Sequence, residues 1–521
     1  MSAKWIVTGE DNNGKIKLVS QSGITGILPK GSYLTVDPKQ PGDSKHILRV
    51  DESRQIEPYA PTSLVADLNL EGFIADSGCK NEVTAYRVED VSNRNDGLID
   101  FIKPLLHARR STQEEVDLAL GNTEKGPIVF VATIQSSKNQ VLKDDDGTHI
   151  TATIPEDVFF HQMLICGKTG SGKTVSMKYL SQYFVEEMHG AVLAINVKDI
   201  DFLQMDRASN VIDPDVASEW KTLGDVPHGI DNLVMYMPAN RRFSQIKGIN
   251  RDLCKKVTLD VKTIQPEAMT GLLQGITDKG ALSFPSIFRY WIKYRAKDFT
   301  LNEFIQYFSS MEGEKVFSTL NERDDENYVK LHAATYDSIL RSLDSSSDFF
   351  DNEDAITLDY TDILQAGKMS ILDFSGDKGP RFGSILLRDL LKKIVNAKDQ
   401  LLSSVPVLII IDEVHQFYSV DSTREALSDL DNICRTGRSK KIGVIFASQS
   451  INDIPSGLIS VVNTQILFKT DSQSMKLAGI KVTPEEIEGL KKGFAIVSIH
   501  DRPQLKVLKF PLSYCGVVKN E

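Results

Sequence analysis

The segment GKTGSGKT, residues 167–174, has the residue types and spacing to hold a polyphosphate. Met163-Leu164-Ile165-Cys166 before it reads as a buried strand, and after it Met177, Leu180, Phe184 and Met188 fall on one helical face. A glycine-rich turn between strand and helix points backbone N–H groups at an anion seated over the helix N-terminus. Nucleotide contact is therefore expected from Gly167, Lys168, Thr169, Gly170, Ser171, Gly172, Lys173, Thr174 and Val175. Lys173 would reach the β and γ oxygens, and the Thr174 hydroxyl would ligate Mg²⁺. A flexible Gly/Ser turn, the plain alternative, would not require these flanks.

Hydrolysis needs carboxylates at the end of a neighbouring strand, and VPVLIIIDEVHQF supplies them. The apolar run Val407 to Ile411 reads as a strand buried on both faces, delivering Asp412 and Glu413 to its carboxyl end, where open α/β sheets bind ligands. Asp412 is expected to hold Mg²⁺ and Glu413 to polarise the attacking water of ATP hydrolysis. A second strand, KKIGVIFASQS, ends in Gln449, whose amide is suited to sensing the γ-phosphate. Before it, RTGRSKK offers Arg435 and Arg438. Either guanidinium could neutralise the transition state of a neighbouring subunit's site with a planar fork.

These residues need a scaffold that levels several strand ends, and the chain has the length for it. At 521 residues a multidomain protein is expected. From Lys4 to about Pro155 short strands alternate with turns (KWIVTG, GKIKLVS, SYLTV, HILRV, PIVFVATIQ, THITATI), suggesting a small barrel or sandwich. Ser111 or Thr112 caps a helix over QEEVDLALG, Gly121 stops it, and KDDDGTH reads as a hairpin tip or linker. From Val158 onward apolar runs alternate with helices, the pattern of a parallel α/β sheet covered on both faces. The expected strands are Met163–Cys166, Ala191–Val197, Leu233–Met237, Met369–Phe374, Val405–Ile411, Ile442–Ala447 and Gln465–Phe468. Between Pro238 and Asp359 helical patterns dominate, which reads as an insertion.

Composition excludes little. A net charge of −11 argues against a broadly basic surface but permits a locally basic channel. The five cysteines form no C-x-x-C pair, so neither a zinc site nor a disulfide framework is expected. No apolar stretch reaches a membrane span and the start lacks a signal pattern, giving the expectation of a soluble, cytoplasmic protein without a membrane partner.

GKTGSGKT, IDEVHQF and RTGRSKKIGVIFASQS, in this order, resemble the HerA family within the HerA/FtsK class of hexameric DNA-pumping ATPases. The resemblance covers most of the chain. It implies an α/β fold: a RecA-like P-loop ATPase core over residues 151–521, preceded by a small N-terminal β-barrel over about 1–150. The core would hold a helical subdomain at about 238–359 and a closing C-terminal β-hairpin at about 490–521. Three departures stand out: His161-Gln162 where the family has Arg-His, Asn196 where an aspartate is common, and an arginine segment two residues longer. The last leaves the choice between Arg435 and Arg438 open, with Arg438 preferred.

The resemblance implies a homo-hexamer that binds ATP and Mg²⁺ and pulls double-stranded DNA through its pore as a translocase or helicase. The chain shows no nuclease constellation, so a separately encoded nuclease or other effector, docked on the barrel, is implied for DNA end processing or antiviral defence. The alternative is an ATP-regulated, ring-shaped assembly platform that activates its effector without processive translocation. A conjugation-type coupling ATPase comes last, because its usual membrane anchor is missing. Candidate pore contacts are Lys440, Lys441, Lys378, Arg381, Lys255 and Lys256.

Overall fold

The computed structural model describes residues 5–518 except 21–25, 41, 57–79, 92–98, 122–124, 136–137, 199, 242–245, 274–280, 377–378, 418–432, 434–436, 455–458, 460, 472–482 and 500–501. The chain forms two compact units, one of Met1–Glu156 with Leu467–Pro511 and the other of Asp157–Ile466 with Leu512–Glu521.

In the first unit, β1 (Trp5–Glu10), β2 (Ile16–Ser20), β3 (Tyr33–Val36), β4 (Lys45–Ile56), β5 (Lys80–Val91) and β6 (His107–Arg110) close a barrel in the order β1-β2-β5-β4-β3-β6. Alternate residues point inward, and Val7, Leu18, Leu34, Val36, Leu48, Val50, Val83 and Ala85 fill the interior. Helix α1 (Gln113–Leu120) begins at Thr112, whose hydroxyl accepts from the Glu115 N–H while the Glu115 carboxylate accepts from the Thr112 N–H. It ends at Gly121, in the left-handed conformation at φ 64°. PIVFVATIQ and THITATI become β7 (Ile128–Gln135) and β9 (Thr151–Thr153), outside the barrel. They pair with each other, β7 also pairs with β8 (Lys138–Val141), and β5 and β6 complete the barrel instead.

The second unit is built on a parallel sheet. Its strands are β10 (Met163–Cys166), β11 (Ala191–Asn196), β12 (Leu233–Pro238), β13 (Cys254–Thr258), β16 (Ile356–Thr357), β17 (Met369–Asp373), β18 (Val407–Ile411), β19 (Ile442–Ser448) and β20 (Thr464–Leu467). Their order is β16-β13-β12-β17-β11-β18-β19-β10-β20. The central strands β10, β11, β17, β18 and β19 are buried along their whole length, which is why their sequences run apolar without alternation. Helix α2 (Lys173–Glu186) follows β10 directly and buries Met177, Leu180 and Phe184.

The insertion between β13 and β16 is not wholly helical. It packs α3 (Phe284–Tyr294), α4 (Leu301–Ser310) and α5 (Ala333–Asp344) with a hairpin of β14 (Val316–Leu320) and β15 (Glu326–Lys330). Buried Phe284, Phe288, Trp291, Phe304, Phe308, Phe317 and Tyr336 form its aromatic core. The 21-residue helix α6 (Gly379–Asp399) precedes β18.

The C-terminal part of the chain serves both units. β21 (Phe494–Ile499) and β22 (Arg502–Lys509) form an antiparallel hairpin in the first, where β22 pairs with β7. The residues after Pro511 form a strap in the second. Leu512 O accepts from the Trp220 indole at 2.8 Å, Tyr514 O from the Ser209 N–H at 2.8 Å, and Gly516 O from the buried Lys178 ammonium at 2.6 Å.

Candidate nucleotide site

Register places the candidate residues. Cys166 of β10 pairs with Ser448 of β19, Phe446 of β19 with Ile411 of β18, and Ile411 in turn with Ile195 of β11. Four adjacent parallel strands thus end together. The turns that leave them carry Gly167 to Thr174, Gln449, Asp412 with Glu413, and Asn196 to Lys198.

The glycine-rich turn has the conformation its sequence implies. Gly170 and Gly172 have φ of 77° and 121°, a region closed to most side chains, and no atom lies within 4 Å of where a Gly170 Cβ would stand. Lys168, Thr169 and Gly170 are exposed, Ser171 and Lys173 buried, and Thr174 and Val175 half-buried in the first turn of α2. The Lys173 ammonium donates to the Gly167 carbonyl at 2.8 Å, and burial pushes its pKa down. The Ser171 hydroxyl is buried without a hydrogen-bond partner among the described residues.

Around Glu413 the polar groups form a chain across the strand ends. The Thr169 hydroxyl donates to Gln449 Oε1 at 3.2 Å, and Gln449 Nε2 donates to Glu413 Oε1 at 3.0 Å. Lys198 pairs with that same oxygen. Glu413 Oε2 accepts no hydrogen bond among the described residues, although His415 Nδ1 lies 3.5 Å away. The backbone of Glu413 is left-handed, φ 48° and ψ 58°, a conformation that costs a non-glycine residue about 1–3 kcal/mol and aims this carboxylate along the strand ends.

Burial pushes the Asp412 carboxyl up to about 6, against the pull of Lys198. At Glu413 burial acts in the same direction, but the hydrogen bonds from Lys198 and Gln449 outweigh it and the pKa falls. Two neighbouring acids are thereby driven apart, one by desolvation and one by cationic contact. The open glycine cradle, the orphaned Ser171 hydroxyl and a buried carboxylate beside a lysine fit a magnesium-bound polyphosphate.

Residues 141–397 match the family described as the central domain of helicase HerA. Over these residues the chain is similar to the HerA family. A DNA double-strand break repair helicase HerA from Sulfurisphaera tokodaii is 24% identical over 142 residues, covering 26% of this chain and 29% of that protein. Among solved structures, VirB4 of Thermoanaerobacter pseudethanolicus aligns at TM-score 0.46 and 12% identity, covering 75% of this chain and 97% of that one. The bacterial conjugative coupling protein TrwBdeltaN70 aligns at TM-score 0.47 and 14% identity, over 81% and 97% of the two chains.

The departures from the HerA pattern have local physical reasons. Gln162 is buried and left-handed at φ 49°. Its side-chain oxygen accepts from the Val444 N–H at 2.9 Å and its carbonyl from the N–H groups of Asn463 and Thr464. It joins β10, β19 and β20 and does not turn toward the phosphate loop. Asn196 donates to Asp373 Oδ1 at 2.8 Å, where an aspartate would set two carboxylates against each other. Arg241 and Ser375 complete that buried cluster, which the sequence reading missed.

Arg438 is exposed in a helical turn just before β19. A seven-residue strand rising about 3.3 Å per residue separates it from Gln449, roughly 20 Å along the sheet. It therefore lies at the opposite sheet edge from its own chain's phosphate loop. Arg435 and Lys378 fall outside the described residues, as does the Arg381 side chain. Of the other candidate pore cations, Lys255 and Lys256 are exposed on β13 and Lys440 pairs with Asp399. Lys198 was not singled out for the site from sequence, though it stands two residues beyond the last residue of β11.

Among the described residues no cluster of metal-ligating side chains and no helix long and apolar enough to cross a membrane occurs.

Proposed function

We propose that this HerA-type chain hydrolyses ATP with Mg²⁺ and, as a homo-hexamer, moves double-stranded DNA through a central pore. The observation that carries the reading is the level ending of β10, β19, β18 and β11, which brings Lys173, Gln449, Asp412, Glu413 and Lys198 to one edge. Lys173 and the N–H groups of residues 168–174 bind and orient the phosphates. Asp412 and Thr174 would hold the magnesium ion, which supplies Lewis-acid neutralisation of phosphate charge. Glu413 orients the attacking water through Oε2, the oxygen without a hydrogen bond among the described residues, while Gln449 fixes Oε1. Arg438, far from its own site, meets nucleotide only from another copy of the chain, the geometry of a finger in trans.

A separately encoded nuclease or other effector docks on the barrel, and the assembly serves DNA end processing or antiviral defence. The family match and the catalytic geometry support hydrolysis; the partner follows from the HerA resemblance. Lys173→Ala should abolish hydrolysis, while Glu413→Gln should bind ATP and retain it. Linear duplex carrying a displaceable block then reports translocation. ATP-dependent effector activity without displacement would replace the translocase by a regulated assembly platform, and Glu413→Gln hydrolysing at the wild-type rate would overturn the site itself.

A further inference from the structure

We propose that Lys198 is a γ-phosphate reader that holds Glu413 until a triphosphate draws its ammonium away. This rests on the nucleotide-site reading above and concerns how that site distinguishes ATP from ADP.

Lys198 and Glu413 lie 215 positions apart in sequence and meet only because β11 and β18 are neighbours. Their freedom differs. The Lys198 side chain is 37% exposed and leaves a turn, whereas that of Glu413 is 1% exposed on a backbone fixed in the left-handed region. If the pair separates, the lysine is the member that moves. Glu413 Oε1 already accepts from Gln449, so it keeps a hydrogen bond after the lysine leaves.

Gln449 also joins Thr169 on the phosphate loop to Glu413, so ligand at that loop and the carboxylate share one polar chain. A terminal phosphate carries more negative charge than a carboxylate and offers several acceptor oxygens. An ammonium on a flexible stem, a point charge without the fixed fork of arginine, is suited to such an exchange. A diphosphate lacks the group that competes. In this arrangement the lysine leaves Oε1 when the γ-phosphate is bound, and its charge then no longer offsets the negative charge with which Glu413 polarises water at Oε2.

A double-mutant cycle on binding tests this without relying on turnover. Affinities for the β,γ-imido analogue of ATP and for ADP, both with Mg²⁺, are measured by titration calorimetry on the full chain as it assembles. Lys198→Met should weaken the triphosphate analogue about tenfold and ADP less than about twofold, the scale of one charge-assisted hydrogen bond. Glu413→Gln, which releases the ammonium, should tighten the analogue by roughly three- to tenfold and leave ADP unchanged.

In Lys198→Met/Glu413→Gln that gain should vanish. A gain that persists in the double variant would mean that Glu413 merely repels the phosphate, and would overturn the exchange. Equal weakening of both nucleotides by Lys198→Met would also overturn it, reducing Lys198 to support of its turn. Lys198→Gln and Lys198→Arg repeat the cycle should the methionine variant fail to fold, and the arginine should restore part of the discrimination. A chain that hydrolyses ATP yet gives a flat cycle refutes the exchange alone; one that binds neither nucleotide refutes the site reading with it.

Discussion

Two buried glutamates, one in each unit, show the difference between a carboxylate that builds and one that works. Glu115 accepts through Oε1 from Arg109 at 2.7 Å and Lys45 at 3.1 Å. Through Oε2 it accepts from Arg109, the Thr112 N–H and Thr35 at 2.8–2.9 Å. Glu413 is as deeply buried, but among the described residues both of its hydrogen bonds fall on Oε1 and Oε2 has none. Saturation makes Glu115 a rivet between the helix cap and the barrel strands. The unsaturated oxygen leaves Glu413 room for a reaction partner, bounded by the unfavourable backbone that aims it.

The largest expected effect tests whether that partner comes with help from another subunit. Arg438→Ala and Glu413→Gln should each be nearly inactive alone, since a trans arginine contributes roughly 10³ to 10⁵ in rate. Rings formed by co-expressing the two should recover part of the activity, because some interfaces regain both groups. Verified mixed rings as inactive as either parent would remove Arg438 from the mechanism, and Arg435 would be tested next.

The comparison itself is sharpest in paired substitutions. Glu413→Gln should lower the hydrolysis rate by about 10² to 10⁴, the range for a positioned acid–base group, with little loss of stability. Glu115→Gln should do the reverse, costing about 1.5–3 kcal/mol because a neutral amide replaces the carboxylate that accepts from Arg109, which keeps its other carboxylate, Asp37, while the rate per folded molecule holds. Thermal melts beside steady-state rates separate the two; equal activity losses would erase the distinction.

A pH series then isolates the riveting role. Burial works to raise the Glu115 pKa, but Arg109, the Thr112 N–H, Thr35 and Lys45 outweigh it and bring it down to about 2. A depressed acid contributes its full stability above its ordinary 4.5 and loses it as pH falls toward about 2. The melting gap between wild type and Glu115→Gln should therefore narrow across that window, and a constant gap would place the effect in packing.

Smaller again is the effect expected at Lys398, a buried lysine that donates to the Val405 carbonyl. Burial, and secondarily Lys441, lowers its pKa from 10.5 to about 8. The unfolded chain binds the extra proton between these values, so the cost is full below about 8 and disappears as pH rises toward 10.5. Lys398→Met should raise stability at pH 7 by about 1–3 kcal/mol, with the gain shrinking above pH 8.

The central sheet was legible because parallel strands buried on both faces must be apolar throughout, and all seven runs read from the sequence are strands. What escaped lacks that signature. Of the barrel strands, β5 (KNEVTAYRVEDV) interleaves charges and β6 (HARR) has one apolar residue, while β13 (CKKVT) carries two lysines. The phosphate loop and Asp412-Glu413 announce themselves because one short segment carries each whole motif. The Lys198–Glu413 pair does not, since only the register of β11 beside β18 joins residues 215 positions apart.

The division of the C-terminal residues between the two units sets an order of assembly during synthesis. Residues Leu467–Pro511 complete the first unit and the strap after them completes the second. At roughly 5–20 residues per second, the 516 residues through Gly516 take about 25 to 100 s to make. Until then β7 lacks its partner β22 and Lys178 lacks the carbonyl of Gly516. Neither unit can finish folding until these residues are made, so the two units mature almost together. A nascent chain cut short in between would expose an unpaired strand edge and a buried cation without its acceptor, both marks by which quality control can recognise an unfinished protein.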